Sequence, residues 1–178
     1  DKCAVASSTP ASVANGYSPA KQIAACVGAS PFVCGTSSLG NFRCALEPVD
    51  KLAICAAWFE HLPKPVVIDT AGRYGAGMAL REIGRCLREL KIPPEDVIIS
   101  NKLGWRKLPL GHSKPPFDPG IWKNPTHDAE YAISYNGILD CWHDGCEALG
   151  QDYAPQLVAV HDADEFLAAA SSPDDRQR

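Results

Sequence analysis

The chain has 178 residues, 46% of them hydrophobic and 21% charged, with a net charge of −4. That composition fits a globular domain with ample material for a core, and the mild acidity gives no electrostatic reason to expect nucleic acid or an anionic membrane as a partner. No apolar run approaches the roughly 20 residues that span a bilayer.

Residues 1–30 are rich in Ala, Ser and Pro and read as an irregular arm. Lys2 and the weak apolar stretch behind it lack the defined charged region and apolar core of a signal peptide. Eight cysteines raise the question of disulfides, but there is no C-x-x-C pair. Cys26, Cys34, Cys55, Cys86, Cys141 and Cys146 mostly fall among apolar residues, which predicts reduced, buried thiols and a cytoplasmic chain.

Residues 31–178 read as one domain. Pro31 to Gly35 is a short strand, and Thr36 to Asn41 is the turn after it. Pro48 to Leu62 carries apolar residues at 49, 52, 53, 56 and 59, the spacing of one helical face. Pro48 suits a helix start, and Pro63 and Pro65 end it. Val66-Val67-Ile68-Asp69 is an apolar run without alternation, as in a parallel strand buried on both faces, and it stops at an acid. After the turn holding Tyr74, a helix over about 78–91 places Leu80, Ile83, Leu87 and Leu90 along one side, and Pro93-Pro94 stops it. A third strand over 96–102 ends in Lys102. The stretch 103–134 has little regular pattern, and loops this long in compact domains are functional or mobile. A helix over 135–149 follows, then a fourth strand over 156–160 that ends at His161, then a tail that begins as a helix and turns polar.

Strand and helix alternate with no run of consecutive strands, which predicts an α/β fold of parallel strands joined by right-handed crossovers. Four such units are half of a (β/α)8 barrel, which typically needs about 250 residues. Parallel strands deliver their carboxyl ends to one rim, where chemistry sits in such sheets. Asp69, Lys102 and His161 end three strands, and Tyr74 lies one turn beyond Asp69. A free phenol, with a pKa of about 10, is a poor acid or base near neutrality, and a nearby ammonium brings it into range. A carboxylate beside the lysine would keep it charged and placed, and a histidine would hydrogen-bond a substrate oxygen. Such a set suits proton transfer to or from a carbonyl or alcohol oxygen and needs no metal.

Asp69-Thr70-Ala71-Gly72-Arg73-Tyr74-Gly75 resembles the aspartate-and-tyrosine signature of the aldo-keto reductases, and Asp69, Tyr74, Lys102 and His161 match that family's catalytic tetrad in order and strand context. Gly35 to Asn41 is similar to the family's first-strand motif. Ile133 to Leu139 and His161-Asp162-Ala163-Asp164 look like the branch holding D-threo-aldose 1-dehydrogenases and L-galactose dehydrogenases. The resemblance covers about residues 31–172. It implies a TIM barrel of which about the first four units are present, with the carboxyl-terminal half-barrel still to come. It implies NADP or NAD bound at the rim, with Gly35, Thr36 and Asp69 beside the nicotinamide end and Thr36 near its ribose. It also implies a small carbonyl or sugar substrate and hydride transfer with Tyr74 passing the proton. Gly145 and Cys146 stand where the family usually has serine and leucine, and a mid-helix glycine costs about 1 kcal/mol relative to alanine.

Other readings fit less well. Gly75-Ala76-Gly77 between strand and helix suggests a dinucleotide fingerprint, but Leu80 stands at the third glycine and the next strand ends in Lys102 rather than an acid. Cys141, His143 and Cys146 do not share a helical face and lack zinc spacing. His61, His112 and His127 read as surface or loop residues. Trp105, Phe117, Trp122 and Tyr131 are either loop packing or a wall of the substrate pocket, Trp105 being the candidate contact. The competing class is a truncated or degenerate relative that keeps the rim residues but binds no cofactor.

Overall fold

The computed structural model describes residue 28 and residues 31–113 and 117–172. The expected arm, Gly28 apart, and the last residues of the tail lie outside the described residues. In chain order the strands are β1 (Cys34–Gly35), β2 (Val66–Ala71), β3 (Val97–Leu103), β4 (Trp105–Pro109), β5 (His127–Tyr131) and β6 (Leu157–Val160). The helices are α1 (Pro48–His61), α2 (Met78–Glu89), α3 (Tyr135–Leu149) and α4 (Ala163–Ala168). Strands β1, β2, β3 and β6 form one sheet in that order, every pair parallel, with α1, α2 and α3 as the crossovers. This is part of the wall of a (β/α)8-type barrel.

Alternation along the strands separates two faces. Cys34, Val66, Ile68, Val97 and Ile99 point to one side, where they meet Leu80, Ile83 and Leu87 of α2 together with Cys55, Leu149 and Tyr153 in a single buried cluster. Three of the four residues of the expected stripe of α2 are thus in the core, while Leu90 caps the helix, which ends at Glu89, and is only partly buried. Asp69 and Lys102 belong to the opposite face, which would line the interior of a barrel.

Gly145 has a packing reason. A Cβ built there would lie 2.7 Å from Asn101 Nδ2, and Asn101 is buried in the middle of β3. The helix gives up propensity to pass over that amide. Gly145→Ala should therefore lower stability by about 1 kcal/mol, because an overpacking cost of about 1–3 kcal/mol exceeds the roughly 1 kcal/mol gained in helix propensity. Urea unfolding checks this, and a more stable variant would show that Asn101 has room to move.

One feature departs from the sequence reading. The stretch 103–134 is not irregular throughout, and strands do follow one another: β4 and β5 pair antiparallel, Trp105 opposite Tyr131 and Pro109 opposite His127. The strands are short and charged, with Arg106 bonded across to Glu130 at 2.5 Å, and residues 110–126 separate them instead of a tight turn. Neither an apolar alternation nor a hairpin turn was there to be read. At the sheet edge, β6 pairs only with β3 among the described strands, and Val158 and Val160 are 54% and 48% exposed, the open apolar edge that four strands of a barrel would leave.

Candidate active site

Register places the rim residues. Gly35 lies opposite Asp69, Ala71 opposite Lys102, and Lys102 opposite Ala159. Asp69 is two residues before Ala71 and His161 two after Ala159, so Asp69, Lys102 and His161 share a face and climb by two residues per strand. Each step is about 7 Å along the strand direction. The long lysine side chain closes the gap by reaching back to Asp69. The ladder continues past the strand ends, with Gly72 N–H donating to Lys102 O (3.3 Å) and His161 N–H to Leu103 O (2.8 Å).

Tyr74 is set by the turn between β2 and α2. Its backbone lies against the helical turn Ser37–Gly40, where a Cβ on Gly40 would fall 2.8 Å from the carbonyl carbon and oxygen of Tyr74. Only glycine at position 40 lets the two segments meet backbone to backbone. The tyrosine N–H donates to Ala71 O at 3.1 Å.

The structure brings Asp69, Tyr74, Lys102 and His161 together. Lys102 Nζ donates to Asp69 Oδ2 and, at 3.3 Å, to Tyr74 Oη. The His161 ring stands edge-on to Tyr74, with centroids 5.7 Å apart and planes at 87°. His161 Nδ1 is buried and has no hydrogen-bond partner among the described residues, and Nε2 is 3.6 Å from Asp162 Oδ1. A cleft of about 420 Å³ opens over this group, walled by Phe42, Arg73, Tyr74, Asp118, Trp122 and His161.

Burial, first, pushes the His161 imidazole below its ordinary range; Asp162 opposes this, and Lys102 and Arg73 add to it. A histidine with a lowered folded pKa contributes stability that is present above the unfolded pKa of about 6.5 and lost as pH falls through the folded value. Thermal midpoints should therefore drop on acidification below about pH 6.5, and His161→Gln should flatten that part of the curve. His127, lowered chiefly by burial and then by Arg81 and Lys107, remains in both proteins and cancels from the difference. Parallel curves for the two proteins would contradict the assignment.

The residues expected beside the cofactor fall in two groups. Gly35 and Asp69 sit side by side at the strand ends. Thr36 is fully buried, and its hydroxyl donates to Asp69 O at 3.0 Å, so the side chain holds the Asp69 backbone. Trp105 lies behind the cleft, packed with Ala76, Ala129 and Phe117 and covered by the Arg73 guanidinium 4.6 Å from its ring. Trp122 takes the wall position instead, 6.0 Å from the Tyr74 ring and edge-on to Phe42. Arg73 and Asp118 were not singled out from sequence, since nothing in their spacing signals a pair 45 residues apart. Cys141 and Cys146 are free thiols of α3, and no group of three or more metal-capable side chains occurs among the described residues.

A nicotinamide cofactor is implied by the family resemblance, and the reactive end of such a molecule suits the cleft: a flat aromatic wall, a rim of strand ends, and Tyr74 and His161 side by side on the lining. The cleft offers less to a pyrophosphate, because Arg73, the cation on its wall, is bonded to Asp118 and Asp162.

Comparison with known proteins gives the family. The family model described as the aldo/keto reductase family matches residues 31–169. Pyridoxal 4-dehydrogenase of Microbacterium luteolum is 31% identical over 137 residues, which cover 72% of this chain and 38% of that protein. Among solved structures, the glycerol dehydrogenase AKR11B4 of Gluconobacter oxydans is 24% identical with a TM-score of 0.44, covering 66% of this chain and 31% of that one. An aldo-keto reductase of Klebsiella pneumoniae in complex with NADPH is 19% identical with a TM-score of 0.48, covering 74% and 35%. The chain thus spans little more than a third of the length of the curated relative it matches.

Proposed function

Since the chain belongs to the aldo/keto reductase family, we propose that it carries the proton-transfer site of an NAD(P)-dependent oxidoreductase that interconverts an aldehyde, ketone or sugar hemiacetal with its alcohol or lactone. The observation that carries this reading is Lys102 Nζ placed between the Asp69 carboxylate and the Tyr74 hydroxyl. Bound NADP or NAD supplies or accepts the hydride. In the reducing direction Tyr74 Oη gives its proton to the carbonyl oxygen as the carbon becomes tetrahedral. The Lys102 ammonium stabilises the phenolate left behind, and Asp69 keeps Lys102 charged and aimed. His161, which shares the cleft wall with Tyr74, hydrogen-bonds the substrate oxygen. Gly35 and Asp69 border the nicotinamide end, and Thr36 supports that border through the Asp69 carbonyl.

Pyridoxal is the first substrate to try, because of the relative's activity and because the cleft wall beside Tyr74 is aromatic, formed by Phe42 and Trp122. Aldoses come second, on the branch motifs around Ser134 and His161. The six described cysteines are free thiols, which supports a cytoplasmic setting. The uncovered β6 edge supports a remaining half-barrel as the missing cover and source of phosphate-binding groups.

A second reading, a relative that binds no cofactor by itself, is favoured by the Arg73 pairing, which leaves the cleft wall without an uncommitted cation among the described residues. Titrating NADPH and NADH into the chain while following tryptophan fluorescence separates the two. Saturable quenching with turnover of pyridoxal or an aldose supports the enzyme. A folded chain whose fluorescence neither cofactor changes supports the second reading.

A further inference from the structure

Arg73 makes more contacts at the rim than any role in proton transfer requires. Its Nε and Nη2 donate to the two oxygens of Asp118, each at 3.0 Å, and its Nη1 donates to Asp162 Oδ2 at 2.5 Å. Its guanidinium lies over the Trp105 ring. One side chain thereby joins three rim segments: the turn after β2, the segment 117–122 and the end of β6. Asp118 in turn accepts from Trp122 Nε1 at 2.9 Å, and Trp122 forms the cleft wall next to Tyr74. Both carboxylates sit on left-handed backbone, Asp118 at φ 36° and Asp162 at φ 52°, a conformation that side-chain-bearing residues adopt when something holds them there. Burial alone would raise the Asp118 carboxyl, yet the hydrogen bonds from Arg73 and Trp122 hold it below the ordinary carboxylate range.

An exposed ion pair would carry little weight. This one is bidentate, shared between two acids, and three-quarters or more shielded on every side chain, with 24% of Arg73, 20% of Asp118 and 21% of Asp162 exposed. We propose that Arg73 is a positioning residue that latches segment 117–122 onto the rim, keeping Trp122 beside Tyr74 as the wall that sets the width of substrate entry. The inference rests on the proposed function only in taking the cleft as the substrate's, and its test needs no turnover.

The alternative is that the segment is held without Arg73, by its backbone bonds to residues 41–43. Arg43 N–H donates to Ile121 O at 2.7 Å, and Lys123 N–H donates to Asn41 O at 3.0 Å. Amide exchange followed by NMR on the full chain distinguishes the two. In Arg73→Met, the amides of Arg43, Ile121 and Lys123 and the Trp122 indole N–H should exchange at least about tenfold faster, since each lost hydrogen bond is to a charged group. The amides of α2 should stay as protected as before, and Arg73→Lys, which cannot form the fork, should restore only part of the protection. Asp118→Asn, which keeps an acceptor for Trp122 but not the charge, should loosen the same amides, and the double variant should add nothing further. Unchanged exchange at Ile121 and Lys123 would overturn the proposal. So would an equal rise across α2, which marks a general loss of stability, or additive effects of Arg73→Met and Asp118→Asn.

Discussion

Replacing Tyr74 by phenylalanine should lower turnover by about 10²–10⁴-fold, the usual worth of a positioned general acid or base. The variant removes one oxygen, the atom 3.3 Å from Lys102 Nζ, and leaves the ring that packs beside Trp122 and His161. Cofactor affinity and thermal midpoint should therefore stay close to the parent, so the loss falls on kcat with KM little changed. Initial rates of nicotinamide oxidation with pyridoxal or an aldose, together with a melting curve, read both quantities. A variant that keeps wild-type kcat would remove Tyr74 from the chemistry.

The largest expected effect on stability lies one residue before the acid. Ile68 is fully buried in β2 and belongs to the cluster between the sheet and α2. Ile68→Ala removes three carbons from a site whose backbone is held by strands on both sides, so the cavity cannot close well. Losses of about 2–5 kcal/mol are typical of such truncations. Against the roughly 5–15 kcal/mol that hold an ordinary domain together, a change of this size is severe. The variant should be largely unfolded near body temperature. Urea titration of both proteins by far-ultraviolet circular dichroism checks it, and a shift under about 1 kcal/mol would mean that β2 is less tightly enclosed than its burial implies.

The parts of this architecture that were legible in the sequence have local physical causes. β2 was marked by an unbroken apolar run, Val66 to Ile68, which is buried throughout, and α2 by the stripe Leu80, Ile83, Leu87 and Leu90, of which the first three lie in the core and Leu90 is partly buried at the helix end. The convergence of Asp69, Lys102 and His161 followed from topology: parallel strands bring their carboxyl ends to one rim whatever the side chains. β2 and β3 each run slightly past their expected ends, to Ala71 and Leu103, because the backbone ladder continues beyond the charged residue. What could not be read depends on pairing at a distance. The β4–β5 hairpin joins polar segments across a long connection, and the Arg73 bonds reach residues 45 and 89 positions away. The choice between Trp105 and Trp122 as cleft wall was equally closed to inspection. Both are buried aromatics in one stretch, and only the folded rim turns Trp122 toward Tyr74 and Trp105 away. Gly145 looked like a weak point in α3 until Asn101 beneath it supplied the reason.

The central claim is that this rim passes a proton while a carbonyl carbon gains a hydride. Incubating the chain with pyridoxal, or an aldose, and NADPH or NADH deuterated at the transferring position of C4, then weighing the product, tests it most directly. The account predicts an alcohol carrying one deuterium on the former carbonyl carbon, formed by the wild-type chain and slowed in Tyr74→Phe by the factor given above. A folded, cofactor-binding chain that yields no deuterated alcohol, or yields it as fast without the Tyr74 hydroxyl, would contradict it.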